Sequence, residues 1–171
     1  MHGVFMEVFA VGVLITGRAG AGKSGLALEL LDRGHRLVAD DVVELERDEH
    51  GIVLGSCPPL LKDFMAVRDL GVLDVRQIFG DGALAEATRL GLMLELLEDG
   101  WSGDALEGTR SRRTILGREF PVVALPARAG NRLALLAEAA VRDVELRRAG
   151  YDAPAALAAR QARWLRRRRE P

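Results

Sequence analysis

The chain has 171 residues, 49% hydrophobic and 29% charged, with a formal net charge of −1. That balance excludes disordered, fibrous and membrane-spanning classes, and the length allows one domain, residues 1–171, with a sizeable core. No net field draws it to nucleic acid or to an anionic membrane. Cys57 is the only cysteine, which excludes an intrachain disulfide and a cysteine zinc cluster.

In chain order, Val4 to Ala10 and Val11 to Thr16 read as β-strands rich in branched and aromatic residues, with a break expected at Gly12. These apolar runs are far too short to span a bilayer, and no basic leader precedes them. A cytoplasmic protein is the expectation. Ser24 to Arg33 reads as a helix, with Gly34 placed to cap its C-terminus. Leu37-Val38-Ala39 is a short buried strand that ends in Asp40-Asp41. Val42 to Glu46 and Ile52 to Leu54 read as two strands turning at Asp48-Glu49-His50-Gly51, and Pro58-Pro59 stops that unit.

Lys62 to Phe79 is a mixed segment around Leu70-Gly71-Val72-Leu73-Asp74. Leu90 to Leu97 reads as a strand, Glu98 to Arg113 as a polar loop, and Phe120 to Leu125 as another strand. Leu133 to Arg148 is a long helix closed by Gly150, and Ala155 to Arg169 is a second one. Its end crowds Arg166, Arg167, Arg168 and Arg169 beside Trp164. That run reads either as a solvated basic face or as a contact with a partner or neighbouring subunit. Strand, helix, strand, further strands and then helices imply an α/β core with antiparallel additions.

The chemistry concentrates in Gly17-Arg18-Ala19-Gly20-Ala21-Gly22-Lys23-Ser24, which fits G-x-x-x-x-G-K-[ST] at every fixed position. Glycines let the backbone turn with its N–H groups aimed inward, so main-chain donors bind a phosphate. The helix that follows presents its N-terminus to the same anion. Lys23 can reach the outer phosphates and the Ser24 hydroxyl can ligate Mg²⁺, so ATP with Mg²⁺ is the expected ligand. The bland alternative is a glycine-rich turn that binds nothing. The helix then leads back to the strand ending in Asp40 and Asp41. If that strand is a parallel neighbour of Val11–Thr16, both carboxylates lie at the sheet edge that carries the phosphate loop. There one could hold Mg²⁺ and one could accept a proton from an attacking hydroxyl.

The wider string is more specific. Gly12 to Gly17, Gly22-Lys23-Ser24, Ala27 to Leu30 and Arg33 to Asp41 closely resemble the catalytic domain of the HPr kinase/phosphorylase family. These are bacterial enzymes that act on a serine of the phosphocarrier HPr. Ordered matches continue through His2-Gly3-Val4, Pro58-Pro59-Leu60, Val67-Arg68, Leu70 to Val75, Phe79-Gly80, Pro126 to Gly130, Leu133-Ala134 and Glu138-Ala139-Ala140. The resemblance implies a P-loop-containing, phosphoenolpyruvate-carboxykinase-like α/β domain with a mixed sheet and flanking helices, usually assembled as a homohexamer. With the whole chain read as the catalytic domain, the family's separate N-terminal domain is expected to be absent.

The resemblance also implies roles. Lys23 would contact phosphate and Ser24 would ligate Mg²⁺. Asp41 would accept the proton for kinase action and donate it for dephosphorylation, supported by Asp40. His2 would be a catalytic histidine, Arg68 an anion contact, and residues 126–131 would serve dephosphorylation. HPr or a paralogue would be the partner. Several positions depart from the pattern. Ala66 stands where the family carries a metal-binding glutamate, Asp69 where it has glycine, Gly25 where a carboxylate follows the loop, and Ala105 where it has a catalytic arginine. Gly130-Asn131-Arg132 inverts the usual Gly-Arg-Asn order, and Asp69 or one of Arg110, Arg112 and Arg113 is the candidate to replace the missing charges. Two alternatives follow: a kinase of the same fold with another acceptor, and a nucleotide-binding regulator with little or no catalysis.

Overall fold

The computed structural model describes residues 1–98 and 108–168. Strands β1 (Val4–Val8) and β2 (Val11–Gly17) form an antiparallel hairpin in which Val8 faces Val11. Its turn is Phe9-Ala10, with φ of 50° and 62°, the left-handed pair that a two-residue hairpin requires. The break therefore falls there and not at Gly12. Gly12 lies inside β2, where a Cβ would stand 2.3 Å from the Arg89 carbonyl oxygen and 2.8 Å from the Phe5 ring. It is a close-approach glycine.

Helix α1 (Lys23–Asp32) follows and ends as its sequence implies. Gly34 takes φ 86°, its N–H donates to Leu31 O (2.9 Å), and the His35 N–H donates to Leu30 O (3.0 Å), the paired bonds of a Schellman cap. Strand β3 (Arg36–Ala39) then pairs with β1, antiparallel. The expected adjacency of β3 and β2 is thus corrected. The β1–β2 hairpin places β1 between them, and two antiparallel pairings in succession restore the same direction to both. The carboxyl ends of β2 and β3 still share one sheet edge.

Next come the hairpin β4 (Glu44–Arg47) and β5 (Val53–Ser56), then the hairpin β6 (Phe64–Val67) and β7 (Gly71–Asp74). The short helix α2 (Val75–Phe79) is capped by Asp74, which accepts from the Gln77 N–H at 3.0 Å. Strands β8 (Ala87–Leu97), β9 (Arg110–Ile115) and β10 (Arg118–Pro126) complete the main sheet, whose order is β3-β1-β2-β8-β10-β9. Strands β2, β8 and β10 are parallel, and β5 attaches β4 to β8. This mixed sheet with flanking helices is the expected α/β fold.

Arg110 to Arg113, read from sequence as loop, open β9. It is an edge strand bonded only to β10 among the described residues, and outward arginines are how an edge resists further pairing. Residues 99–107 of that stretch, including Ala105, lie outside the described residues, as does Arg169.

Both sheet faces are buried. Val4, Met6, Val13, Ile15, Leu92 and Leu94 pack under α1 and α3 (Leu133–Arg148). Phe5, Leu14, Met93 and Phe120 pack on the opposite face with Val43 and Val53. Double burial explains why β2 and β8 read as continuous apolar runs. Helix α4 (Ala153–Arg167) starts two residues earlier than expected because Asp152 caps it through the Ala155 N–H (3.0 Å), and it buries no residue. Among the described residues no helix is long and apolar enough to cross a membrane.

One polar cluster, buried at Glu138 and His35, ties the segment that ends α1 to α3. Glu138 accepts from Arg33 Nε at 2.9 Å, and its Oε1 lies 2.9 Å from His35 Nε2. Chiefly through the Arg33 bond, and also through His35, its carboxyl falls from 4.5 to about 2. A depressed carboxylate contributes stability above its unfolded value that disappears as pH falls through the folded one. The shift corresponds to about 3 kcal/mol. Glu138→Gln should therefore be clearly less stable than the parent at pH 7, and the gap should close between pH 4.5 and about 2. Denaturant melts across that range would measure it, and a pH-independent gap would contradict it.

Candidate active site

The phosphate loop leaves β2 at Gly17 and closes at Gly22, the residue before α1. Gly20 and Gly22 adopt φ of 82° and 93°, which a side chain would strain. A Cβ at Gly17 would stand 2.9 Å from the Leu96 carbonyl oxygen, so the loop rests directly on β8. No side chain caps α1, and the amides of its first turn are open to an anion. Lys23 folds back over the loop, with Nζ donating to the carbonyls of Gly17 and Arg18, each at 3.1 Å. From there it needs only side-chain rotation to meet a phosphate.

Arg68 arrives from the β6–β7 hairpin. Its guanidinium stands 3.5 Å from where a Cβ of Gly20 would be, so it lies against the loop. Asp69 beside it has φ 70°. That left-handed conformation explains why glycine suits this position in the family pattern.

Asp40 is the buried member of the acidic pair, 6% exposed. Its Oδ1 accepts from Ser24 Oγ at 3.3 Å and its Oδ2 from the Ala66 N–H at 2.8 Å. Burial pushes its carboxyl above the ordinary value, against the lowering effect of those two bonds. Ser24 and Asp40 thus form an oxygen-donor pair at the mouth of the loop.

Asp41 turns the other way. It is the centre of a three-residue turn closed by the Val42 N–H on Asp40 O (2.8 Å), with φ 67°. This is the rare, strained sense of the γ-turn. The turn exposes the carboxylate, which lies 3.0 Å from His2 Nδ1, with the two side chains 64% and 61% exposed. His2 is held there because the segment before β1 pairs with this turn: the Gly3 N–H donates to Asp41 O (3.1 Å) and the Val43 N–H to Met1 O (2.8 Å). All the sequence-predicted site residues, His2, Gly17 to Ser24, Asp40, Asp41 and Arg68, come to this one edge.

A cleft of about 690 Å³ opens beside it, lined by His2, Thr16, Gly17, Arg18, Glu95 and Arg113 among others. Glu95 is not among the residues the sequence singles out, although an acid inside the apolar run Leu90–Leu97 is a usable signal; Arg113 is one of the three arginines that the sequence offers in place of the one missing at residue 105. Among the described residues no group of three or more His, Cys, Asp or Glu side chains is placed to hold a metal. Ser24 with Asp40 is the donor set present. It suits a hard cation that keeps several waters or phosphate oxygens, as Mg²⁺ does.

Fold and edge together define the class: an α/β domain of the P-loop kind, with a carboxylate pair facing the loop. Comparison with known proteins narrows this. The family model described as HPr serine kinase C-terminal domain matches residues 1–161, and the chain belongs to that family. It is 48% identical to the HPr kinase/phosphorylase of Azoarcus sp. (strain BH72) over 168 residues, covering 96% of this chain and 54% of that protein. It is 47% identical to the HPr kinase/phosphorylase of Xanthomonas campestris pv. campestris (strain B100) over 173 residues, covering 98% and 55%. The chain thus spans about half the length of the curated relatives it matches. The solved structure of the Hpr(Ser) kinase/phosphatase from Coxiella burnetii superposes with a TM-score of 0.82 at 34% identity, over 92% of this chain and 96% of that one.

Proposed function

We propose that this chain is the catalytic domain of an ATP- and Mg²⁺-dependent protein-serine kinase acting on the phosphocarrier HPr. The observation that carries the reading is the juxtaposition at one sheet edge of the Lys23 loop with the exposed Asp41–His2 pair, 3.0 Å apart. The loop amides and Lys23 bind the β- and γ-phosphates, and Arg68 covers them from above. Mg²⁺, held by Ser24 Oγ and the Asp40 carboxylate, would neutralise charge on the transferring group. Asp41 accepts the proton of the incoming serine hydroxyl, and His2 orients that carboxylate. In the reverse direction Asp41 returns the proton while inorganic phosphate takes the phosphoryl group from phosphoserine, releasing pyrophosphate; residues 126–131 serve that direction. We assign ADP release as the test. It should rise at least about tenfold when HPr is added, the range that a positioned acceptor and base provide. HPr-independent turnover would favour another acceptor, and nucleotide binding without turnover would favour a regulator.

Ala66, together with Ala105, is what motivates the regulator reading. Its N–H already touches Asp40, so a carboxylate at this position is next to the Ser24–Asp40 donors. Ala66→Glu should lower the Mg²⁺ concentration needed for half-maximal ATP binding by about tenfold. A titration with a fluorescent ATP analogue would show it, and an unchanged midpoint would exclude residue 66 from metal binding.

A homohexamer fits α4, whose Leu157, Trp164 and Leu165 are 41%, 53% and 50% exposed. An amphipathic helix with no fully buried residue among the described ones is suited to a neighbouring copy.

A further inference from the structure

Resting on the kinase reading above, we propose that Arg113 is a catalytic residue that contacts the transferring phosphoryl group from the acceptor side. β9 carries arginines at 110, 112 and 113. Alternation along a strand sends them to opposite faces. Arg110 turns toward α3, where it donates to Asp143 at 2.7 Å, and Arg112 is held by Glu119 at 3.0 Å. Arg113 shares the parity of Ile115, which is buried on the face away from α3. It opens instead into the cleft lined by His2, Gly17, Arg18 and Glu95.

Three observations suit it to an anion arriving there. First, the cleft joins the phosphate loop, through Gly17 and Arg18, to His2, the partner of Asp41. Second, the partner of Arg113 is Glu95, at 3.4 Å, with the two side chains 44% and 35% exposed. A pair this long and this wet stabilises little, so a phosphoryl group can displace Glu95. Third, Glu95 sits in register with Thr16, the residue before Gly17, so the pair holds Arg113 toward the loop while the cleft is empty.

The chemistry needs such a cation. As the serine oxygen bonds to the γ-phosphorus, the bond from that phosphorus to the β,γ-bridging oxygen breaks. The electron pair leaves with ADP and the serine proton goes to Asp41. Negative charge is then spread over three equatorial oxygens. Lys23 and the loop amides face them from the nucleotide side. Arg113 faces them from the side where the acceptor enters.

The test compares Arg113→Gln, Arg113→Lys and Arg112→Gln in two assays. One is phosphate transfer from ATP to HPr. The other is binding of MgADP with and without aluminium fluoride, a mimic of the planar phosphoryl group. Arg113→Gln should slow transfer by roughly 10²–10³-fold and abolish the tightening of MgADP by aluminium fluoride. The ATP dissociation constant should stay within about threefold, because Arg113 contacts the transition state more than the ground state. Arg113→Lys should recover part of both effects, and Arg112→Gln, on the other face, should behave as the parent. Transfer and aluminium fluoride binding both unchanged in Arg113→Gln would overturn the assignment. If the parent transfers no phosphate to HPr, the kinase reading fails by itself. Aluminium fluoride then decides: tightening in the parent that is lost in Arg113→Gln sustains the role of Arg113, and any other pattern overturns it.

Discussion

Lys23→Ala is expected to reduce phosphate transfer by about 10³-fold or more, the scale of losing a principal charge-stabilising donor in a phosphoryl-transfer site. The size of the effect follows from the shortage of substitutes. The other lysine, Lys62, is engaged with Glu86 at 3.0 Å on a different part of the surface. Arg18 is largely exposed and is paired with Glu98, 3.5 Å distant. Arg68 covers Gly20 from outside and cannot reproduce a charge placed inside the turn. Lys23 also holds the carbonyls of Gly17 and Arg18 together, so its loss loosens the cradle as well. ATP affinity should fall alongside turnover. Calorimetric titration with ATP and a rate assay on the same preparation would separate the two, and full activity in the variant would remove the loop from the chemistry.

Asp41→Asn is expected to lower kcat by roughly 10²–10⁴-fold while ATP binding stays nearly unchanged. Asparagine keeps the size of the side chain and tolerates the left-handed backbone that the turn imposes at φ 67°. The fold should therefore survive, and what disappears is the proton acceptor. The carboxylate lies 3.0 Å from His2 Nδ1 and is 64% exposed, so nucleotide affinity has no reason to depend on it. Asp40 behaves differently. It is bonded to Ser24 and to Ala66, and its replacement should disturb metal and nucleotide together. A variant of Asp41 that loses ATP binding in proportion to kcat would place Asp41, too, among the ground-state contacts.

Much of the site could be read from sequence because its parts are local. The phosphate loop is contiguous, its helix ends on the Gly34 cap that its composition implies, and Asp40 and Asp41 follow at a distance set by one helix and one strand. The position of His2 was legible only through family resemblance. Nothing near residue 2 signals that the segment before β1 will pair with the turn at Asp41. The sheet order was missed for a related reason. Hydrophobic periodicity reports burial but not which strand lies next to which, so the insertion of β1 between β2 and β3 left no trace in the pattern.

Glu95 and Arg113 show the same limit at longer range. They meet only because β8, β10 and β9 pair across a separation of 18 residues, and three arginines made an edge strand look like a loop. Gly12 was misassigned because a glycine that admits a neighbouring backbone looks, in one dimension, like a glycine that turns the chain.

The most direct test of the account is transfer of labelled γ-phosphate from ATP to HPr in the presence of Mg²⁺, followed by mapping of the labelled residue, with Lys23→Ala as control. The proposed kinase function predicts label on one serine of HPr with the parent protein and a signal reduced by about 10³-fold with the control. Nucleotide binding by the parent with no label on HPr would contradict it.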